Sequence, residues 1–225
     1  MAFSAQSLIL RVITTLQDAT AVRWATDELV RYLNDGQREI LVYRPDATAT
    51  TASVALAAGA KQSLPVGSFK LIDIVRNTNG TKRAIRLTTR ALLDSQVPSW
   101  QYVSGVGTDV GATEIKHYVY DSRDPKVFYV YPPAASSGAS VEMVYSALPT
   151  DIAEPAPGAL YTAITGSLSV SDLYTNALTN YVLYRAYAKD AEFSANGQVA
   201  AAYYASFQNA LTAELSGTAG VAPKE

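Results

Sequence analysis

The spacing of apolar residues changes twice along this chain, and this limits the folds open to it. Leu8, Val12, Ile13 and Leu16 recur at helical spacing, whereas residues from about 52 to 149 alternate or form short β-rich runs, and helical spacing then returns. The pattern predicts an α+β fold, in which a helical bundle formed by N- and C-terminal helices carries an inserted antiparallel β-rich domain. The expected boundaries are 1–48 and 160–215 for the bundle, 49–150 for the β-domain, and 216–225 for a flexible C-terminal tail.

Potential N-cap residues and stripes of apolar residues at helical spacing predict where the other long helices lie. Thr26 is the expected N-cap of a helix that Pro45 ends, and Gly36 within it indicates a close helix crossing. Ser171 and Asn196 are the expected N-caps of two C-terminal helices. The apolar stripe of the first comprises Leu173, Ala177, Tyr181, Tyr184 and Ala188, and that of the second comprises Val199, Tyr203, Phe207, Ala210 and Leu211.

The middle of the chain predicts strands that follow one another through short turns. Residues 53–57 and 69–75 read as strands, and residues 77–80 as a turn leading to a returning strand at 84–88. A short helix over 89–95 precedes a glycine-rich loop over 104–113. Residues 115–120 and 127–131 form the clearest hairpin, Pro132 and Pro133 end its second strand, and 141–145 supply a third strand. Sequential strands joined by short turns favour an antiparallel sheet.

Composition excludes several function classes. The chain has 225 residues with 18 Lys+Arg and 20 Asp+Glu, a net charge of -2, whereas a dedicated nucleic-acid binder is usually more basic. It has no cysteine and one histidine, which excludes disulfides, thiolate catalysis and histidine-rich metal sites. We expect no cofactor and no enzymatic activity. The N-terminus does not read as a targeting segment, and no window is apolar enough to span a membrane, so we expect cytoplasmic synthesis and no membrane contact.

The sequence contains no complete catalytic or ligand-binding motif that we recognise. His117 lacks a nucleophile-elbow sequence near Ser104 or Ser122 and is expected to be structural or solvent-facing. The glycines of 105–111 lack the lysine and helix of a phosphate loop. Asp121 and Asp124 indicate a turn rather than a calcium loop. Residues 79–81 match the glycosylation sequon, but we interpret them as the tip of a hairpin. A hydrolase built on Asp121 and Glu142 would need a paired-carboxylate geometry that nothing in the sequence indicates.

Two surfaces are candidates for contact with partners. The basic cluster consists of Lys82, Arg83, Arg86 and Arg90, and it is either a solvated face or a site that docks an acidic partner or a DNA backbone. A carbohydrate-binding platform is an alternative for Tyr118, Tyr120, Tyr129 and Tyr131, but alternation on paired strands predicts that these side chains divide between two faces, one of them core.

Several segments, in their order along the chain, resemble head-to-tail adaptor (connector) proteins of short-tailed bacteriophages. The resemblance covers about residues 29–211 and rests on these runs: Leu33-Asn34-Asp35-Gly36-Gln37-Arg38-Glu39-Ile40 with Arg44-Pro45-Asp46; His117-Tyr118-Val119-Tyr120-Asp121 with Asp124-Pro125; Phe128-Tyr129-Val130-Tyr131-Pro132-Pro133; 141–149; and 181–192. The glycine-rich loop and the tail match no motif of that family.

The resemblance implies a structural virion protein of the phage neck. Such adaptors form a ring, typically twelvefold, that joins the portal protein to the tail nozzle protein, in some cases near tail fibres, and packaged double-stranded DNA passes through the lumen. Under this reading the tail would dock on the portal through Gly217, Thr218, Ala219, Gly220, Val221, Ala222 and Pro223. A different tail or nozzle structural protein remains an alternative.

Overall fold

The computed structural model describes residues 3–103, 111–190 and 194–219 of the chain. Its helices are α1 (Ala5–Leu16), α2 (Thr26–Tyr43), α3 (Arg90–Gln96), α4 (Thr175–Lys189) and α5 (Ser194–Ala219). Its strands are β1 (Ala49–Ala55), β2 (Gly59–Ser63), β3 (Ser68–Asn77), β4 (Arg86–Leu87), β5 (His117–Tyr120), β6 (Val127–Ala134) and β7 (Ser140–Ala147). The α+β class is confirmed, with N- and C-terminal helices flanking a β region.

The chain separates into two compact units. The helical unit comprises Met1–Thr48 with Pro149–Glu225, and the β unit comprises Ala49–Leu148. Helix α4 packs against α1, α2 and α5 in the helical unit. Because neighbours lie on several sides of α4, its burial extends around the helix instead of following one stripe. The predicted stripe is therefore wrong at Leu173, which is 78% exposed, and at Ala188, which is also exposed.

The buried face of α5 differs from the predicted stripe at two positions. Phe207 and Leu211 are buried as expected, but Ala200 is buried in place of Val199, and Ala210 is exposed. The buried positions 200, 207 and 211 keep the spacing of three to four residues per turn. The aromatic rings of Tyr181 and Phe207 lie 5.2 Å apart between centroids and join α4 to α5.

Gly36 lies where α2 and α4 come closest, which confirms the predicted crossing. A Cβ atom built on Gly36 would lie 2.8 Å from Tyr181 Cδ1 and 3.1 Å from Leu178 Cδ2. Both distances are shorter than ordinary carbon contacts of about 3.5–4.0 Å. Only glycine therefore fits at this position without displacement of the Tyr181 side chain or of α4.

The predicted helix boundaries need four corrections. Ala25 is the N-cap of α2, while Thr26 is its first residue, and the Thr26 hydroxyl is buried without a hydrogen-bond partner in the described chain. Ser171 caps a short 3₁₀ turn that leads into α4. Asn196 lies inside the first turn of α5, where its amide donates to Asp190 Oδ2 at 3.0 Å. Helix α5 extends to Ala219, because no proline interrupts it before Pro223, so the expected flexible tail is helical over residues 216–219; residues 220–225 lie outside the described chain.

A buried amide anchors the segment between the β unit and α4 on helix α2. Asn34 Nδ2 donates to the Ile152 carbonyl at 3.0 Å, and the Ile152 N–H donates to Asn34 Oδ1 at 3.0 Å. Gln37 Oε1 accepts the Ser169 N–H at 2.7 Å in the same way. These side chains satisfy main-chain groups that have no partner in a helix or sheet, so they fix the path of the segment.

The carboxylate of Asp18 organises the loop between α1 and α2. It accepts the N–H groups of Val22, Arg23 and Trp24 at 3.1, 2.9 and 2.9 Å. Burial works against ionisation of Asp18, but these hydrogen bonds outweigh it and hold the pKa of the carboxyl below its usual value. The loop is thus tied to the ionised form of one side chain.

The β unit contains two sheets, with the strand orders β1-β7-β3 and β2-β6-β5-β4. The hairpin of β5 and β6 is confirmed, with His117 opposite Tyr131. The expectation that β7 extends this hairpin is wrong, because β7 lies between β1 and β3 in the other sheet. Its buried side chains, Val141 and Met143, pack with Leu71 and Ile74 of β3 in a shared core. Burial across the sheets, rather than proximity in sequence, therefore decided the pairing.

Two local predictions in this unit also need correction. The turn after β3 forms, but the returning segment makes only an isolated bridge, Arg76 to Ala84, before β4 pairs in parallel with β5. Pro132 and Pro133 do not end β6, which runs to Ala134. Proline lacks an N–H donor but keeps its carbonyl, and the Pro133 carbonyl accepts the Ala112 N–H at 2.8 Å.

Candidate functional site

The basic cluster follows β3 and leads into α3 on the surface of the β unit. Lys82, Arg83, Arg86 and Arg90 are all exposed. The turn is held by its main chain: the Asn77 N–H and side-chain amide both donate to the Arg83 carbonyl, at 2.9 Å each. These bonds keep the backbone in place and leave the basic side chains directed to solvent.

Two carboxylates reduce the net charge of the cluster. Arg90 Nε lies 3.6 Å from Asp94 Oδ2, one helical turn along α3. Glu114 accepts the Thr81 N–H at 2.7 Å and the Thr81 hydroxyl at 2.9 Å. The Thr81 N–H bond is the main reason why the pKa of Glu114 lies below its usual value, and the charge of Arg83 adds to the effect. Sequence reasoning missed Glu114 because it lies 31 residues after Arg83 in the chain.

A groove of about 470 Å³ lies beside Arg90, between the start of α3 and the β5–β6 hairpin. Thr88, Val119 and Tyr129 contribute to its walls, as do Asp121 and Asp124. The two carboxylates belong to a turn, as predicted, since the Asp124 N–H donates to the Asp121 carbonyl at 3.0 Å. The guanidinium of Arg123 binds Asp121 and lowers the pKa of that carboxyl to about 2.

In the described part of the chain, the residues considered for metal binding and catalysis make other contacts. No group of three or more histidine, aspartate or glutamate side chains there could hold a metal ion. His117 stacks on Tyr131 at 6.4 Å between ring centroids, and within residues 3–103, 111–190 and 194–219 no hydrogen bond joins it to Ser122 or Asp121. Ser104, the other serine considered, lies outside the described residues, as do most of the glycines of the 105–111 loop. Glu142 is paired with Arg76.

The four hairpin tyrosines divide between two faces, as their alternation predicts. Tyr118 is 5% exposed, and its hydroxyl donates to Asp73 Oδ1 at 2.8 Å on the side of the larger core of the unit. Tyr129 packs edge-on against Trp100 at 6.0 Å, on the opposite side. A sugar-stacking platform needs aromatic rings side by side on one exposed face, so this geometry counts against the carbohydrate-binding alternative.

The C-terminal residues considered for docking extend past the described chain. Gly217, Thr218 and Ala219 form the end of α5, and Gly220, Val221, Ala222 and Pro223 lie outside the described residues. Across the ranges that the structure covers, no helix is both long and apolar enough to cross a membrane.

Comparison with known proteins identifies a family from nearly the whole chain. No curated protein matches the sequence. The family model described as SU10 adaptor protein matches residues 3–223, which confirms the resemblance to head-to-tail adaptors and includes both units of the fold. The chain therefore belongs to the SU10 adaptor protein family and is a structural adaptor protein of the bacteriophage neck that associates with portal and tail components.

Proposed function

We propose that this adaptor forms a ring, typically of twelve copies, that joins the portal protein to the tail nozzle protein and encloses the path of the packaged DNA. The match of the SU10 adaptor model to residues 3–223 carries this proposal. The composition supports it, because a net charge of -2 suits a conduit through which DNA must pass without being held by phosphate contacts.

Cryo-electron microscopy of purified phage necks tests the proposal directly, with copy number measured by quantitative mass spectrometry. The expected result is a closed ring of this chain between portal and nozzle, surrounding DNA in filled particles. A position within the nozzle itself or on tail fibres would reject the head-to-tail role and favour another tail component.

In a ring, the basic cluster would be repeated by symmetry, so a modest local charge would act many times. We assign it to contact with DNA phosphates or with an acidic face of a partner. The test replaces Lys82, Arg83 and Arg86 by alanine, and the control makes the same charge change at Lys61, Lys70 and Lys126. Slower or faster DNA ejection with normal assembly would indicate contact with DNA, whereas weaker, salt-dependent assembly would indicate a partner. Behaviour identical to the control in both assays would reject the assignment.

The C-terminal residues 216–225 are assigned to portal attachment. Residues 216–219 continue helix α5, and the small residues of this segment, with two glycines and one proline, suit a narrow groove between portal subunits. Deletion of residues 216–225 is expected to weaken portal binding while the circular dichroism spectrum keeps its shape. Unchanged portal binding would reject this role.

A further inference from the structure

Strand β1 forms the outer edge of the sheet β1-β7-β3, and its outer main-chain groups are open. The Leu56 N–H, directly after β1, donates to the Ala139 carbonyl at 2.9 Å. Because hydrogen-bonded residues alternate in an antiparallel ladder, Thr51, Ser53 and Ala55 direct their N–H and carbonyl groups away from β7. All three side chains are exposed, and among the described residues these outward main-chain groups have no hydrogen-bond partner.

The outer strands at the other three sheet edges carry features that discourage pairing with a further strand. Strand β3 shifts register at three points and carries Lys70, Asp73 and Arg76. Strand β2 has five residues, a register shift and Lys61. Strand β4 has two residues, one of them Arg86. Charges, bulges and short length are the usual means by which proteins protect sheet edges.

Strand β1 has none of these protections. Its register with β7 is unbroken over seven residues, from Ala49 to Ala55. Residues 47–60 contain no charged residue and no proline. An exposed, regular and uncharged edge is a template for another strand, so we expect a partner to cover it in the assembled particle.

This edge is too small for strand pairing alone to hold an occupant, whether that is a second copy of the chain or another protein. Seven strand residues extend about 24 Å, and with a sheet thickness of about 10 Å the pairing buries on the order of 500 Å² in total. A stable pair of proteins needs roughly 1,000 Å² or more. Two β1 strands paired antiparallel would also require a twofold axis, which a ring of copies pointing the same way does not contain. The occupant must therefore contact the adaptor elsewhere as well.

We propose that β1 accepts an extended, uncharged segment of a different, neighbouring virion protein as an added strand of this sheet. The inference rests on the proposed place of the chain between portal and nozzle. Main-chain hydrogen bonds to Thr51, Ser53 and Ala55 supply the affinity, and the small side chains along β1 leave room for larger ones on the incoming strand.

A pair of proline variants tests the role of the outer N–H groups. Ser53→Pro removes one outward N–H, and the Ser53 side chain contributes only a 3.4 Å hydrogen bond to Thr78. Ser63→Pro is the matched control: the Leu64 N–H donates to the Lys126 carbonyl at 2.9 Å, so by alternation the Ser63 N–H also faces outward, but on the protected edge of β2. Binding of both variants to purified portal protein and to purified nozzle protein is measured by calorimetry.

We expect Ser53→Pro to weaken binding to one of the two proteins by about tenfold or more. The reason is that one hydrogen bond is lost and the proline side chain obstructs the incoming strand. Ser63→Pro should stay within about twofold of the wild type, a change too small to reflect a lost hydrogen bond. Equal binding by the two variants overturns the proposal and leaves the adaptor function intact. Failure of the wild type to bind either protein counts against the adaptor function and overturns the inference with it.

Two measurements on the wild type keep the proposal testable if Ser53→Pro does not fold. Hydrogen exchange at residues 51, 53 and 55 should be fast in the free adaptor and slowed in purified necks; unchanged exchange overturns the proposal. A neck map should show a fourth strand beside β1 that belongs to a different protein. An empty edge, or a strand from another copy of this chain, overturns it.

Discussion

Replacement of Gly36 by alanine tests the close crossing of α2 and α4. The added methyl would lie 2.8 Å from Tyr181 Cδ1, in a place where the Tyr181 ring is held between Tyr184 and Phe207. Tyr181 is 6% exposed, so it cannot turn away into solvent. We expect overpacking of this kind to cost about 1–3 kcal/mol.

Helix propensity acts in the opposite direction, since alanine is favoured over glycine in a helix by about 1 kcal/mol. Gly197 separates the two effects: it also lies in a helix, α5, but a Cβ atom there meets nothing within 4 Å. Gly197→Ala should therefore gain stability by up to about 1 kcal/mol. When the unfolding free energies of the two variants are compared, most of the effect of helix propensity cancels. The steric cost of about 1–3 kcal/mol remains.

Urea unfolding followed at 222 nm measures this difference, because the helices dominate the signal at that wavelength. In thermal unfolding the two variants should differ by several degrees, at about 2–4 °C per kcal/mol for a chain of this size. If Gly36→Ala is as stable as Gly197→Ala, the steric reasoning is refuted and α4 must be able to move away from α2.

Three further predictions concern single polar side chains. Asn34→Ala should destabilise the helical unit by about 2–4 kcal/mol, because it leaves both main-chain groups of the buried Ile152 unpaired, and urea unfolding measures the loss. Because the pKa of Asp18 is lower in the folded chain than its ordinary value of 3.8, its stabilising effect is present above that value and is lost as the pH falls through and below it. Asp18→Asn should therefore flatten the fall of unfolding free energy with acid, and an unchanged slope would contradict this. In an NMR titration the pKa of Asp121 should be about 2, and Arg123→Ala should raise it towards 3.8; no change would mean that the pair does not form in solution.

Sequence patterns located most of the elements because their causes are local. The helical spacing of Leu8, Val12, Ile13 and Leu16 predicted α1. Pro45 predicted the end of α2, and Gly36 predicted its close crossing with another helix. Alternation predicted β5 and β6 and the division of the hairpin tyrosines between two faces. The same reading predicted the turn at Asp121, because aspartate and proline favour turns wherever they occur.

Helix caps and buried stripes were predicted less well, because they depend on neighbours. Thr26 has the chemistry of an N-cap, yet the helix starts one residue earlier than that role requires. Leu173 is apolar but exposed, and Ala200 is buried in place of Val199. For the buried stripes, the packing of adjacent helices, which single-chain periodicity does not contain, decided which residues are covered.

The sequence alone determined the class of the fold, the order of most of its elements and, through the order of its segments, the family, but it did not indicate strand β2. Only the tertiary structure decided how the strands pair, since β7 joins β1 and β3 from distant parts of the chain. That pairing places β1 at an open edge, and hydrogen bonds to Thr81 place Glu114 beside the basic cluster; neither position is visible along the chain. Local patterns follow from the chemistry of neighbouring residues, whereas strand partners follow from which distant apolar faces can be buried together.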